Sequence, residues 1–182
     1  PKITKRFKVI DNVRQTNSPK KDAITLAIDN AENDWIITTD ADCILPPFWL
    51  DAFDEKIQST DAISIAGPVT ITSENAFLNR FQTLEILALQ GAAIGSFGIN
   101  NPIMCNGANF CYKKSSFLHC KGFIGNDSIA SGDDLFLLEK FQKQYKNKIK
   151  FLKTEKAVIR THGEKNINSL VQQRLRWASK TS

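Results

Sequence analysis

Trp35-Ile36-Ile37-Thr38-Thr39-Asp40-Ala41-Asp42 is the stretch on which the reading of this chain turns. Its short apolar run is too brief for a buried helix and rich in aromatic and β-branched residues, so it reads as a buried strand over Trp35–Thr39 that ends at Asp40. Upstream, Pro19 to Ala31 has helical period and Phe7 to Asp11 reads as a strand, which gives the order β, α, β. Short apolar runs then continue to alternate with amphipathic stretches. That alternation predicts a single α/β domain with a mainly parallel sheet flanked by helices.

Downstream, Pro46 and Pro47 suit the opening of a helix through Phe48, Leu50, Phe53 and Ile57. Ala62 to Ile71 is strand-like, with a break at Gly67-Pro68. A long helix capped by Ser73 is expected to carry Phe77, Phe81, Leu84 and Leu87 on one face, followed by a loop from Gly95 to Pro102. Met104 to Tyr112 returns to strand composition, and Gly122 ends a short helix that begins near Ser115. A helix from Asp133 to Tyr145, strands near Phe151 and Val158, and a helix from about Ser169 to Ala178 complete the chain. In that last helix Leu170, Val171, Leu175 and Ala178 make a core-facing stripe.

Of the 182 residues, 42% are hydrophobic and 24% charged, the balance of a globular protein with a continuous core. The excess of 24 Lys and Arg over 19 Asp and Glu, a net +5, suits an anionic small ligand and is too weak to indicate nucleic acid. Cys43, Cys105, Cys111 and Cys120 have neither metal-site nor disulfide-framework spacing, so reduced thiols are expected. The most apolar stretch, Leu84 to Phe97, is broken by Gln90, Gly91, Gly95 and Ser96 and falls short of the ~20 apolar residues of a membrane span.

Three groups of residues carry chemistry. Asp40 and Asp42 emerge at the carboxyl end of a strand, where open α/β sheets bind ligands. Their hard oxygens suit Mg²⁺ or Mn²⁺ bridging the phosphates of a nucleotide. The alternative is a solvated turn, since a chain this rich in Asp contains about one Asp-x-Asp by chance. Ser131-Gly132-Asp133-Asp134 opens a helix: the carboxylates either complement its dipole or present a rigidly aimed proton acceptor. Gln172-Gln173-Arg174-Leu175-Arg176-Trp177 places Gln173, Arg174, Arg176 and Trp177 on one contiguous helical patch. Such a patch is either a solvated basic face or a surface where guanidinium forks hold phosphate beside a flat indole platform.

The order of these motifs resembles that of bacterial family 2 glycosyltransferases of the cellulose-synthase-like, processive branch, where a Lys motif, a DxD motif, a TED-like motif and a Q(Q/R)xRW motif follow one another. Here they read Pro19-Lys20-Lys21-Asp22-Ala23-Ile24, Thr39-Asp40-Ala41-Asp42-Cys43, Gly132-Asp133-Asp134 and Gln173-Arg174-Leu175-Arg176-Trp177. Cys105-Asn106-Gly107-Ala108-Asn109-Phe110 is similar to the segment beside the donor and acceptor sugars. The resemblance implies a GT-A, Rossmann-like fold and an inverting transfer from a UDP-sugar or related nucleotide-sugar. It makes Asp42, with Asp40, the ligands of Mn²⁺ or Mg²⁺. Lys20, Asp40, Asp42, Gln173, Arg174 and Arg176 would bind the donor, Asp134 would be the base, and Asn106, Gly107, Asp133 and Trp177 would line the acceptor site.

The acceptor implied is a saccharide or a lipid-linked sugar, in bacterial polysaccharide or cell-envelope synthesis at the cytoplasmic face of the inner membrane. The family's Thr-Glu-Asp is Gly-Asp-Asp here, which keeps the carboxylate of the base. Such domains open with a strand bearing a uracil-contacting Asp, which nothing before Phe7 provides, and often continue into membrane helices. The expectation is therefore a partial catalytic domain, truncated at its amino end, with an exposed edge that favours self-association and with membrane association through segments outside the chain. Two other readings stay open. One is a haloacid-dehalogenase-like phosphatase with Asp40 as nucleophile, Asp42 as acid/base and Gly132-Asp133-Asp134 in the metal site; the other is a non-catalytic nucleotide-binding module. His162, beside Gly163, is either a loop residue or a late metal ligand.

Overall fold

A computed structural model describes residues 8–72, 77–126 and 132–178. Helix α1 (Pro19–Asp29) starts with proline at its first position, where no backbone donor is needed. Asp22 in its first turn accepts from the backbone N–H groups of Gln15 and Thr16, both at 3.0 Å, and from the Thr16 hydroxyl at 2.8 Å. The Thr16 N–H leads the donors that hold the Asp22 carboxyl below its ordinary range. The preceding residues are therefore fastened to the helix rather than to a sheet. Residues 8–11 form no strand, contrary to the reading of Phe7–Asp11, and Val9 is 92% exposed, so nothing rewards an extended pairing there; Phe7 lies outside the described residues.

Strand β1 (Trp35–Thr38) borders a four-stranded sheet ordered β1-β4-β2-β5, with β2 at Ser64–Ala66, β4 at Phe110–Lys113 and β5 at Ile149–Phe151. β4 runs antiparallel to both β1 and β2, whereas β2 and β5 are parallel. Three strands thus share a direction and β4 opposes them. At Gly67-Pro68 the chain leaves this sheet, and β3 (Val69–Thr72) pairs in parallel with β6 (Ile159–His162) in a second one. Proline cannot donate to a ladder, so a central strand ends there.

Alternation along β4 divides the core. Phe110 and Tyr112 point to one face, where they meet Phe117 of α4 (Lys114–His119) and Leu137, Leu138 and Phe141 of α5 (Asp133–Tyr145). Cys111 points to the other, with Ile65 and with Trp49 and Phe53 of α2 (Trp49–Gln58). Burial pushes the Cys111 thiol up to about 12. Helices on both faces of a sheet make this an α/β domain, as the alternating pattern implied.

Several elements differ in extent from their sequence reading. α2 begins at Trp49, because Phe48 adopts a left-handed conformation (φ 63°) that stops the helix running back to Pro46 and Pro47. The long helix α3 (Phe77–Gly98) continues through Gly91 and Gly95, so the loop expected from Gly95 begins after Gly98; Ser73 lies outside the described residues. Its buried residues are Gln82, Ile86, Ala93, Ser96 and Phe97, while Phe77, Phe81, Leu84 and Leu87 face solvent. The last helix, α6 (Ile167–Ala178), buries only Leu170; Val171, Leu175 and Ala178, expected to face the core, are exposed. Among the described residues no helix is long and apolar enough to cross a membrane.

The segment before β4 is a 3-10 turn over Gly107–Asn109, in which the Asn106 side chain accepts from the Ala108 N–H at 3.0 Å. Asn109 then ties four parts of the fold together. Its Oδ1 accepts from Trp49 Nε1 at 3.0 Å, its Nδ2 donates to the Pro68 and Ala157 carbonyls at 2.8 and 2.9 Å, and its backbone carbonyl accepts from Gly67 N–H at 2.7 Å. Gly67 is obligatory for this approach, since a Cβ there would lie 2.3 Å from Asn109 Nδ2. Asn109→Ala strands several buried polar groups at once and is expected to cost about 3 kcal/mol. Urea denaturation checks this, and a loss under about 1 kcal/mol would show that water replaces the amide.

Candidate active site

The end of β1 is fixed to the segment before β4: the Thr38 hydroxyl donates to the Gly107 carbonyl at 2.6 Å and lies 3.2 Å from the Phe110 carbonyl. Beyond it, residues 40–43 make a tight turn closed by Cys43 N–H to the Asp40 carbonyl at 3.1 Å. Both carboxylates of the Asp-x-Asp motif therefore leave the sheet at a strand's carboxyl end. From that turn they diverge. Asp40 pairs with Lys20 Nζ at 3.3 Å, while Asp42 accepts from the Thr161 hydroxyl of β6 at 3.1 Å.

Lys20, in the first turn of α1, also lies 3.5 Å from Asp133 Oδ2. Burial works to lower its pKa, but the carboxylates of Asp133, Asp40 and Asp134 outweigh burial and raise it above the ordinary lysine value. Its charge is thus fully present at neutral pH. Asp133 and Asp134 open α5 behind Gly132, whose φ of 81° lets the chain turn sharply into the helix. Gly132, not Ser131, occupies the cap position, and Ser131 lies outside the described residues. Asp133 is buried against Lys20.

Asp134 is held by two backbone donors, Gly107 N–H to Oδ2 at 3.0 Å and Leu135 N–H to Oδ1 at 2.9 Å. Gly107 makes this contact possible: a Cβ there would sit 3.3 Å from Asp134 Cβ and 3.4 Å from Asp133 Oδ2. The structure therefore brings Lys20, Asp40, Gly107, Asp133 and Asp134 into one cluster at the ends of β1 and the start of α5. Asn106 borders it and spends its side-chain oxygen on the local turn.

The helix α6 motif stands on a different set of contacts. Gln173 Nε2 donates to Glu164 Oε1 at 2.9 Å, and Gln173 Oε1 accepts from Arg174. Arg174 is bound in bidentate fashion by Glu85 of α3, through Nε to Oε1 at 2.8 Å and through a second guanidinium nitrogen to Oε2. Its Cζ lies 4.1 Å from the centre of the Trp177 ring. The sequence reading put Gln173 and Arg174 toward ligand; their partners here are Glu164 and Glu85. Glu85, Gln82, Glu164 and Thr38 were missed by that reading. The first two carried a signal, as polar residues three apart inside an apolar helix.

His162 Nδ1 lies 3.4 Å from the Thr72 hydroxyl across the small sheet. Among the described residues no group of three or more His, Cys, Asp or Glu side chains can hold a metal alone. The donor set of Asp40 and Asp42 fits the other arrangement, in which one or two carboxylates share a hard cation with substrate phosphates and water.

Fold and site define the class: an α/β sheet protein whose carboxylates and lysine collect at the strand ends, the place where open α/β sheets bind ligands. The chain belongs to glycosyl transferase family 2, whose model matches residues 2–129. Membership decides against the phosphatase reading. No curated protein matches the sequence. Among solved structures it is similar to the crystal structure of a mycobacterial protein, at 11% identity and a TM-score of 0.48 over 88% of this chain. The chain spans 48% of that structure's length.

Proposed function

We propose that this chain forms the donor and base region of an inverting, metal-dependent transferase that moves a sugar from a UDP-sugar or related nucleotide-sugar to a saccharide or lipid-linked acceptor. The observation that carries the reading is the cluster at the strand ends, where Asp40, Lys20, Asp133 and Asp134 meet around Gly107. Asp134 is the base: two backbone N–H groups fix its carboxylate, so a lone pair is aimed before the acceptor arrives. The acceptor hydroxyl gives its proton to Asp134 as its oxygen attacks the anomeric carbon. The bond from that carbon to the diphosphate breaks on the opposite face, its electrons pass to the diphosphate, and configuration inverts.

Asp40 and Asp42 would hold the divalent cation, which when bound neutralises the departing diphosphate. Lys20 places a cation beside the same phosphates and holds Asp133 in place by an ion pair. Arg176 and Trp177 are assigned to the diphosphate and the acceptor sugar. The wider setting proposed is bacterial envelope polysaccharide synthesis at the inner membrane's cytoplasmic face, with further segments completing the enzyme and self-association of this region. Calorimetry with UDP and Mn²⁺ tests the donor site. Binding is expected with the cation and lost in excess chelator, and Lys20→Ala should weaken it about tenfold, as removal of a charge-assisted contact does. Equal binding with and without chelator would dismiss the metal from the site.

A further inference from the structure

The motif helix α6 has too little apolar contact to hold its own orientation. Of its twelve residues only Leu170 is buried, and Ile167, Val171 and Leu175 are all exposed. One buried leucine anchors the helix without giving it a direction. Polar contacts from α3 supply the direction. Gln82, fully buried, donates to the Glu164 carbonyl at 3.0 Å and accepts from the Glu164 N–H at 2.8 Å, which clamps the backbone just before α6. Gly163 allows this approach, because a Cβ there would lie 3.2 Å from Gln82 Nε2. From Glu164 the chain of bonds runs through Gln173 to Arg174, and ends where both Glu85 oxygens grip the Nε–Nη2 edge of the guanidinium.

We propose that Glu85 is a positioning residue of this enzyme: by holding Arg174 in a fixed plane over the indole, it makes that arginine the mount of Trp177 rather than a phosphate ligand, with Gln82 as the buried anchor beneath. A bidentate carboxylate fixes both the position and the plane of a guanidinium. A guanidinium 4.1 Å above an indole then restrains the ring by stacking and by attraction to its face. Among the described residues, Arg174 is the cation that lies over the Trp177 ring, on a helix that buries one residue. The orientation of the platform on which a sugar ring stacks is therefore set on α3, far in sequence from the motif. The inference rests on the proposed assignment of Trp177 to the acceptor sugar for its catalytic meaning, and on the α3–α6 contacts for its structural content.

The chain labelled with 5-fluorotryptophan gives three ¹⁹F resonances, for Trp35, Trp49 and Trp177, and Trp177→Phe identifies the third by its loss. Glu85→Gln is expected to move the Trp177 resonance toward its position in the urea-unfolded chain and to raise its solvent isotope shift, leaving the other two unmoved. Arg174→Lys, which keeps the charge but loses the fork, should do the same, and Glu85→Asp should restore most of the native shift. A Trp177 resonance unmoved by Glu85→Gln, or one that moves only together with Trp35 and Trp49, overturns the proposal. Calorimetry with UDP and Mg²⁺ on the same samples separates the two readings. Unchanged binding in Glu85→Gln supports a mount, whereas tighter binding, as when a carboxylate competes with phosphate for Arg174, overturns it. Absence of binding in the unaltered chain counts against the donor-site reading alone, because the ligand-free spectra decide the role of Glu85 by themselves.

Discussion

With Asp134 as the proposed base, Asp134→Asn is expected to lower kcat by about 10²- to 10⁴-fold, the range for losing one positioned proton acceptor. Nucleotide affinity should change little, because the amide keeps the volume and the Asp40–Lys20 pair is untouched. A stability cost accompanies the change for a reason visible in the geometry. Both Asp134 oxygens accept backbone N–H groups, from Gly107 and from Leu135, and an asparagine can accept with only one of its two terminal atoms. Whichever way the amide turns, its NH₂ faces one of those donors, at about 1–2 kcal/mol. Assay well below the melting temperature separates that cost from the loss of the base. Asp133→Asn should be the milder change in kcat, and the reverse ranking would transfer the base to Asp133.

Asp42→Asn is expected to reduce turnover by about 10²- to 10³-fold, the scale for removing one electrostatic partner of a charge that develops in the transition state. Here the loss should show as a demand for more cation, with the Mn²⁺ concentration for half-maximal activity raised, which Asp134→Asn should not produce. The fold should be unaffected to within about 0.5 kcal/mol. Asp42 is exposed, and the asparagine oxygen can still accept from the Thr161 hydroxyl. Full activity with a lowered melting temperature would instead make Asp42 a structural link between the turn and β6. The two substitutions thus separate base from metal by which kinetic quantity moves.

Residues whose role depends on local spacing were legible in the sequence. Trp35–Thr38 formed the strand that its β-branched run required, and Asp40 and Asp42 left it in a turn, as the polar residues after an apolar run imply. Pro19 at a helix start and the apolar period of Asp133–Tyr145 likewise produced the helices expected of them. The motif order pointed to family 2 glycosyltransferases, and the family match bears that out. The exposed stripes on α3 and α6 were misread because helical period shows only that one face is apolar, not which surface covers it. Phe77, Phe81, Leu84 and Leu87 have the spacing of a core face and stand in solvent.

What the sequence determined by itself was therefore most of the elements from Pro19 onward, the α/β class and the residue types of the site, because each follows from a period or a spacing of a few residues along one chain. Tertiary structure alone decided which of those residues meet. Lys20 reaches Asp133 across more than a hundred residues, Gly107 donates to Asp134 because it has no side chain to crowd Asp133 and Asp134, and Arg174 is claimed by Glu85. Charge and hydrogen-bond energies fall off within a few ångströms, so partners are chosen by the packing that brings elements together, and a guanidinium's spacing in a motif cannot say which carboxylate or phosphate will fill its fork.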